Sequence, residues 1–259
     1  MSLLHEVFAQ AKSENRAALI AYVPAGFPTI DGAVECITAM VEGGVDIVEI
    51  GLPYSDPLMD GPTIQDAVQQ SLEQGTKITD VIETVKRVSA TGAPTLVMSY
   101  WNPIERFGIE SFTSALQEAG GVGVITPDLT PEEATSWIKQ TDEHAIDRVF
   151  LVALSSTDAR LQTVAQATSG FIYAGAVMGV TGARTTLGDA VADVVARVRK
   201  VSDLPVAVGL GVSTPEQAHS IAQYADGVIV GSAFVTAIQS GGAQAAKELA
   251  QQLRQGVTR

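Results

Sequence analysis

A glutamate stands where a charged side chain is costly. Glu49 lies in the run Ile47-Val48-Glu49-Ile50-Gly51-Leu52, with apolar neighbours on both sides. Burial there either forces a carboxylate into a partnership or raises its pKa toward the range where it can both give and take protons. The competing reading is a buried glutamate satisfied by neighbouring backbone amides. The loop that follows, Pro53-Tyr54-Ser55-Asp56-Pro57-Leu58-Met59-Asp60-Gly61-Pro62, brings two more carboxylates. Aspartates beside proline and glycine are ordinary turn formers. Asp60, however, sits near the end of a loop long enough to fold back over the strand that carries Glu49.

Three glycine-bearing segments point to an anion: Val180-Thr181-Gly182, Gly209-Leu210-Gly211 and Gly231-Ser232-Ala233. Glycine lets backbone amides approach a phosphate closely. A helix starting at Gly231-Ser232 would add unpaired N–H groups and a favourable dipole. A tight turn explains any one of these segments equally well; their recurrence after three successive strands favours phosphate. With 16 basic against 29 acidic residues and a net charge of -13, the overall field repels such a ligand. Recognition must then come from local amides, with only a modest dependence on salt.

Other chemistries lack the right residues. Lys12, Lys77, Lys86, Lys139, Lys200 and Lys247 fall in helices or their approaches, so none is placed at a strand end to form an imine. His5, His144 and His219 have no metal-ligand spacing. Cys36 lies in a helical stretch and is the only cysteine, which removes both a disulfide framework and an activated thiol. Carboxylate acid and base catalysis without a metal is what remains.

The elements that must position these groups alternate. Strand-like runs occupy residues 18–23, 47–52, 95–100, 122–126, 149–153, 171–174, 206–210 and 228–230, with helical stretches between them. Several helices are opened by cap signals such as Thr214-Pro215-Glu216 and Thr130-Pro131-Glu132. Continuous apolar strands separated by amphipathic helices predict a parallel sheet covered by helices. Eight repeats predict a single (β/α)8 TIM barrel over residues 1–259, with an extra N-terminal helix. A doubly wound sheet would carry a glycine fingerprint after its first strand, where this chain has Pro24-Ala25-Gly26-Phe27-Pro28. Long loops are predicted at 53–63, after the second strand, and at 175–187, after the sixth. Both emerge at the C-terminal strand ends, where barrels of this kind keep their chemistry.

A hydrophobic fraction of 46% excludes disorder, and no apolar run reaches the ~18 residues of a membrane span. Sixteen scattered basic residues make no footprint for nucleic acid or an anionic membrane. The first residues, 2–15, are polar and amphipathic and lack the pattern of a signal peptide. A cytoplasmic protein is expected.

The runs VEIGLPYSDPLMDGPTIQ, GVTGAR, VGLGVSTPEQ and VIVGSAFV together resemble the tryptophan synthase α-subunit family, in order and over nearly the whole chain. The resemblance implies a lyase that cleaves indole-3-glycerol phosphate to indole and glyceraldehyde 3-phosphate. It also implies pairing with a β subunit carrying pyridoxal phosphate in an α2β2 complex, with no cofactor in this chain. Carried over by position, Glu49 is the acid and base, and Asp60 pairs with the indole N–H. Tyr22, Tyr100, Tyr173 and Leu210 line the pocket, while Thr181, Gly182, Gly211, Gly231 and Ser232 hold substrate at its phosphate end. Asp56, Pro57 and the Asn102-Pro103 turn face the β subunit. Tyr22 and Leu210 stand where many members carry phenylalanine, and Met59 adds bulk beside Asp60; these departures bear on pocket shape.

Two alternatives remain open. Indole-3-glycerol phosphate synthase is a related phosphate-binding barrel, but it relies on a strand-end lysine that this chain lacks. A catalytically weak subunit that mainly activates a partner would use the same two loops.

Overall fold

The protein is described here by a computed structural model covering residues 2–175, 184–209 and 211–259. In chain order the elements are α1 (Leu3–Ser13), β1 (Ala18–Pro24), α2 (Ile30–Glu42), β2 (Ile47–Gly51), α3 (Pro62–Glu73), α4 (Ile78–Ser89), β3 (Thr95–Met98), α5 (Trp101–Phe107), α6 (Ile109–Glu118) and β4 (Gly123–Ile125). There follow α7 (Thr135–Glu143), β5 (Asp147–Val149), β6 (Leu151–Val152), α8 (Asp158–Ala167), β7 (Ile172–Gly175), α9 (Arg184–Val198), β8 (Val206–Gly209), α10 (Pro215–Ala222), β9 (Gly227–Val230) and α11 (Ser232–Gly256).

Every strand pairing is parallel, in the order β5-β4-β3-β2-β1-β9-β8-β7-β6. The outermost members of that order, β5 and β6, are consecutive pieces of one strand path separated only by Phe150. One piece pairs with β4 and the other with β7, so the sheet closes on itself as the predicted eight-fold barrel.

The fifth strand nonetheless differs from its expected span of 149–153, because it starts at Asp147 and breaks at Phe150. Asp147 and Arg148 read as polar, yet both are buried. The Arg148 side chain donates to the carbonyls of Ala167 and Ile138 at 3.0 and 3.3 Å and to the Thr141 hydroxyl at 2.8 Å, and it pairs with Asp142. A hydrophobicity pattern cannot see that compensation.

Alternation within the strands separates two cores. Ile20, Ile47, Leu96, Ile125, Val149, Phe171, Ala207 and Ile229 fill the barrel interior. Leu4, Phe8 and Ala11 of α1 join that cluster and close its N-terminal end, with Phe8 and Phe171 ring centroids 5.6 Å apart. Intervening residues such as Leu19, Val48, Val97, Phe150 and Val208 pack outward against the helices. Burial on both faces is why these strands read as continuous apolar runs.

Some helix starts follow their local cap signals, and others do not. At α10 the Thr214 hydroxyl accepts from the Gln217 amide, Gln217 reciprocates toward Thr214, and Pro215 occupies the first turn. At α2, Thr29 accepts from the Gly32 amide at 3.0 Å. Thr130-Pro131-Glu132 opens no helix. The Thr130 hydroxyl donates to the Glu133 carboxylate instead of capping an amide. Arg160 draws Glu132 outward at 2.6 and 2.7 Å. The result is a turn, and α7 begins at Thr135. Asn102-Pro103, expected as a turn, lies in the first helical turn of α5, where proline's missing N–H costs nothing.

The expected loop 175–187 ends earlier than its pattern suggested, since α9 begins at Arg184; its residues 176–183 lie outside the described residues. The 53–63 loop is irregular until α3 begins at Pro62. Helix α11 is interrupted by non-helical Gly241 and Gly242. Residues 232–240 therefore form a short helix directly after the last strand, and the remainder packs on the barrel. Among the described residues no helix is long and apolar enough to cross a membrane.

Candidate active site

Glu49 occupies the middle of β2. Its side chain shares the inner face with Ile47 and Gly51, and it pairs in register with Tyr22 of β1. It is 0% exposed, and among the described residues neither carboxylate oxygen has a hydrogen-bond partner. The backbone-satisfied alternative is therefore not what the fold provides. Burial alone pushes the Glu49 carboxyl up to about 8. A carboxyl of that kind holds its proton at neutral pH and can exchange it a little above neutrality.

Asp60 lies half-buried at the end of the loop after β2, and burial raises its pKa as well. The tyrosines report how these groups are gathered. Tyr22 is raised well above the ordinary phenol value by burial and then by charge at Asp60, Tyr100, Glu49 and Tyr173. Tyr173 is raised by burial, then by Glu49 and Asp60. Two acids and three phenols thus share one electrostatic neighbourhood at the C-terminal ends of the strands.

Glycine makes room for two of those rings. A Cβ on Gly51 would fall 2.6 Å from Tyr22 Cζ, and one on Gly209 would fall 2.9 Å from Tyr173 Cζ. Neither glycine has a positive φ, so these positions are fixed by space and not by backbone conformation.

At the other side of the barrel mouth, β9 passes through Gly231 into the short helix 232–240. Gly231 offers no capping side chain. The first helical amide to find a backbone acceptor is that of Val235, bonded to Gly231 O at 3.1 Å. The amides of the preceding turn are left to point outward, as at any helix start. Gly211, at φ 64°, adopts a conformation that favours glycine. A groove of about 390 Å³ runs beside this helix, lined in part by Thr63, Ser213, Ser232 and Thr236. Thr181, Gly182 and Leu210, singled out in the sequence, lie outside the described residues.

A larger cavity, about 530 Å³, is bordered by Gln117, Val122, His144 and Asp147. It lies at the N-terminal strand ends, across the barrel from the carboxylates.

The rim beside Asp60 is partly apolar and open. Asp56 and Asn102 are exposed, Pro57 and Pro103 half-buried, and Leu58 is 76% exposed. Asn102 Nδ2 donates to the Tyr54 hydroxyl at 3.2 Å, linking α5 to the loop. Two features here escaped the sequence reading. The Asp128 carboxylate accepts from the Trp101 amide at 2.9 and 3.1 Å and so caps α5. The Tyr100 hydroxyl accepts from the amides of Leu58 and Met59. Neither leaves a local signature, since both partners are far apart in sequence.

Other reactive groups are spent structurally. Every lysine lies on a helix or at a helix end, including Lys77, the residue before α4, whose backbone N–H donates to the Asp80 carboxylate at 2.8 Å. Cys36 is buried in α2, and burial, with Glu35 nearby, pushes its thiol up to about 11. His5 and His219 bond to the carbonyls of Gly170 and Thr258. Among the described residues no group of three His, Cys, Asp or Glu side chains is arranged to hold a metal ion.

Comparison with known proteins gives one answer. The sequence model of the family described as tryptophan synthase alpha chain matches residues 8–258. The tryptophan synthase alpha chain of Streptomyces avermitilis is 51% identical over 261 residues, covering 98% of this chain and 94% of that one. That of Mycobacterium marinum is 50% identical, covering 99% and 95%. A solved tryptophan synthase of Mycobacterium tuberculosis superimposes with a TM-score of 0.94 at 49% identity, covering 100% and 99%. The alpha subunit from Legionella pneumophila superimposes with a TM-score of 0.91 at 30% identity, covering 99% and 98%. Barrel, sequence and length agree from end to end, and the chain belongs to the tryptophan synthase alpha chain family.

Proposed function

We propose that Glu49 and Asp60 divide between them the cleavage of indole-3-glycerol phosphate into indole and glyceraldehyde 3-phosphate. Protonated Glu49 gives its proton to indole C3, and the ring nitrogen becomes positive. The Asp60 carboxylate pairs with the indole N–H and steadies that charge. The bond from C3 to the glycerol chain then breaks as the adjacent hydroxyl loses its proton to Glu49, now a carboxylate. The acid is regenerated, and the net transfer is one proton from hydroxyl to carbon.

Tyr22, Tyr100 and Tyr173 line the pocket around the indole and glycerol, with Leu210 completing it. The phosphate sits against the amides at Gly231 and Ser232, with Gly211, Thr181 and Gly182 closing around it. The chain, one barrel domain over residues 1–259, uses no cofactor of its own. It acts in the cytoplasm beside a β subunit that carries pyridoxal phosphate, in an α2β2 complex. Asp56, Pro57, Asn102 and Pro103 face that subunit.

The observation that carries this reading is a carboxyl fully buried in the barrel wall without a hydrogen-bond partner. Such a group is costly unless it is used. The test is indole release from indole-3-glycerol phosphate by the isolated chain and its Glu49→Gln variant. Release by the wild type with a loss of at least about 100-fold in the variant is expected; cleavage at a near wild-type rate by the variant would exclude Glu49 as the proton carrier. Ring closure of the anthranilate-derived precursor would instead identify the synthase.

A further inference from the structure

Asp60 needs a fixed position to meet a ring nitrogen, yet it belongs to a loop without regular structure between β2 and α3. Leu58 and Met59, immediately before it, are 76% and 39% exposed, so packing does not fix them. Their amides are held instead. Leu58 N–H and Met59 N–H both donate to one oxygen, the Tyr100 hydroxyl, at 2.9 and 3.0 Å.

Tyr100 is well placed for this. It follows β3, precedes α5, is 6% exposed, and its ring lies 5.4 Å from that of Tyr54 in the same loop. A second tether acts on the other side of Asp60, whose carbonyl accepts from Gln65 Nε2 at 2.7 Å. That bond is exposed, whereas those to Tyr100 are partly buried. A phenol oxygen can accept as well as donate, and here the loop draws both of its bonds from this single oxygen.

We infer that the Tyr100 hydroxyl is a positioning residue: it latches the 58–59 backbone to the barrel wall and thereby fixes where the Asp60 carboxylate meets the substrate. This goes beyond pocket lining, and it rests on the role proposed above for Asp60. The latch acts through hydroxyl and backbone, so removing one oxygen tests it. Tyr100→Phe keeps the ring against Tyr54 and leaves Asp60 untouched. Without the latch, Asp60 is more open to water, and its burial-raised pKa falls back toward the ordinary carboxylate range.

The experiment follows indole release by the full chain from pH 5 to 9 for wild type, Tyr100→Phe, Asp60→Asn and the double variant, with amide exchange at residues 58 and 59. A drop in kcat of about tenfold with KM within about twofold is expected for Tyr100→Phe, as for an interaction realised in the transition state. The acid limb of its pH profile should move to lower pH, and exchange at both amides should accelerate. Tyr100→Phe should cost little more once Asp60→Asn is present. An unchanged kcat, an unchanged acid limb, a KM effect alone, or losses that multiply in the double variant would each overturn the latch. Failure of wild type to release indole, or of Asp60→Asn to slow it, would instead strike the catalytic reading itself.

Discussion

Replacing Glu49 with glutamine should make the protein more stable at neutral pH while removing its activity. The carboxyl ionises near its ordinary value of 4.5 in the unfolded chain but at about 8 in the fold. Between those values the folded state binds the extra proton, so stability falls as pH rises. Each unit of that window is worth about 1.4 kcal/mol. The wild type therefore gives up about 3 kcal/mol by pH 7 and about 5 kcal/mol above pH 8. Glutamine has nearly the same shape and no charge to desolvate. Urea unfolding of both proteins from pH 4 to 9 should give curves that coincide near pH 4 and diverge upward, the variant being the more stable. A difference that is flat with pH, or that favours the wild type at pH 8, would show that Glu49 is not a carboxyl held neutral by burial, and the proton-carrier argument would fail with it.

The same pKa sets the alkaline side of catalysis: indole release should decline as pH rises through about 8, where Glu49 loses the proton it must donate, and pH profiles of kcat read this directly. Gly51→Ala places a methyl against the Tyr22 ring and should cost roughly 1–3 kcal/mol by overpacking, with substrate affinity falling too; adding Tyr22→Leu should recover much of the stability in thermal unfolding. Gly231→Asp puts a negative charge at the start of the helix 232–240 and should raise KM for the phosphorylated substrate at least about tenfold, measured by initial rates, with little change in inhibition by free indole. Asp56→Lys, on the exposed part of the loop, should weaken association with the β subunit about tenfold by titration calorimetry while leaving basal indole release intact.

Much of this was legible because the signals were local. Strands buried on both faces announce themselves as apolar runs, and Thr214-Pro215 with Gln217 spells out a helix start without help from the rest of the chain. Glu49 was visible for the opposite reason, as the one charge inside such a run. Thr130-Pro131-Glu132 misled because its hydroxyl had two possible partners, and the choice depended on Glu133 and on Arg160 in another helix. Arg148 was hidden because its burial is compensated by groups that reach the strand only after folding. The tie between Tyr100 and the loop spans more than 40 positions, so no window of sequence contains both ends.

The plug formed by α1 has a consequence for traffic. With Leu4, Phe8 and Ala11 packed into the bottom of the barrel, the vessel is a cul-de-sac. On the proposed cleavage, reactant and both products would come and go at the C-terminal strand ends, and the chamber could not refill until it had emptied. An enzyme meant to receive the indole has one threshold at which to wait, and it is overhung by the exposed Leu58.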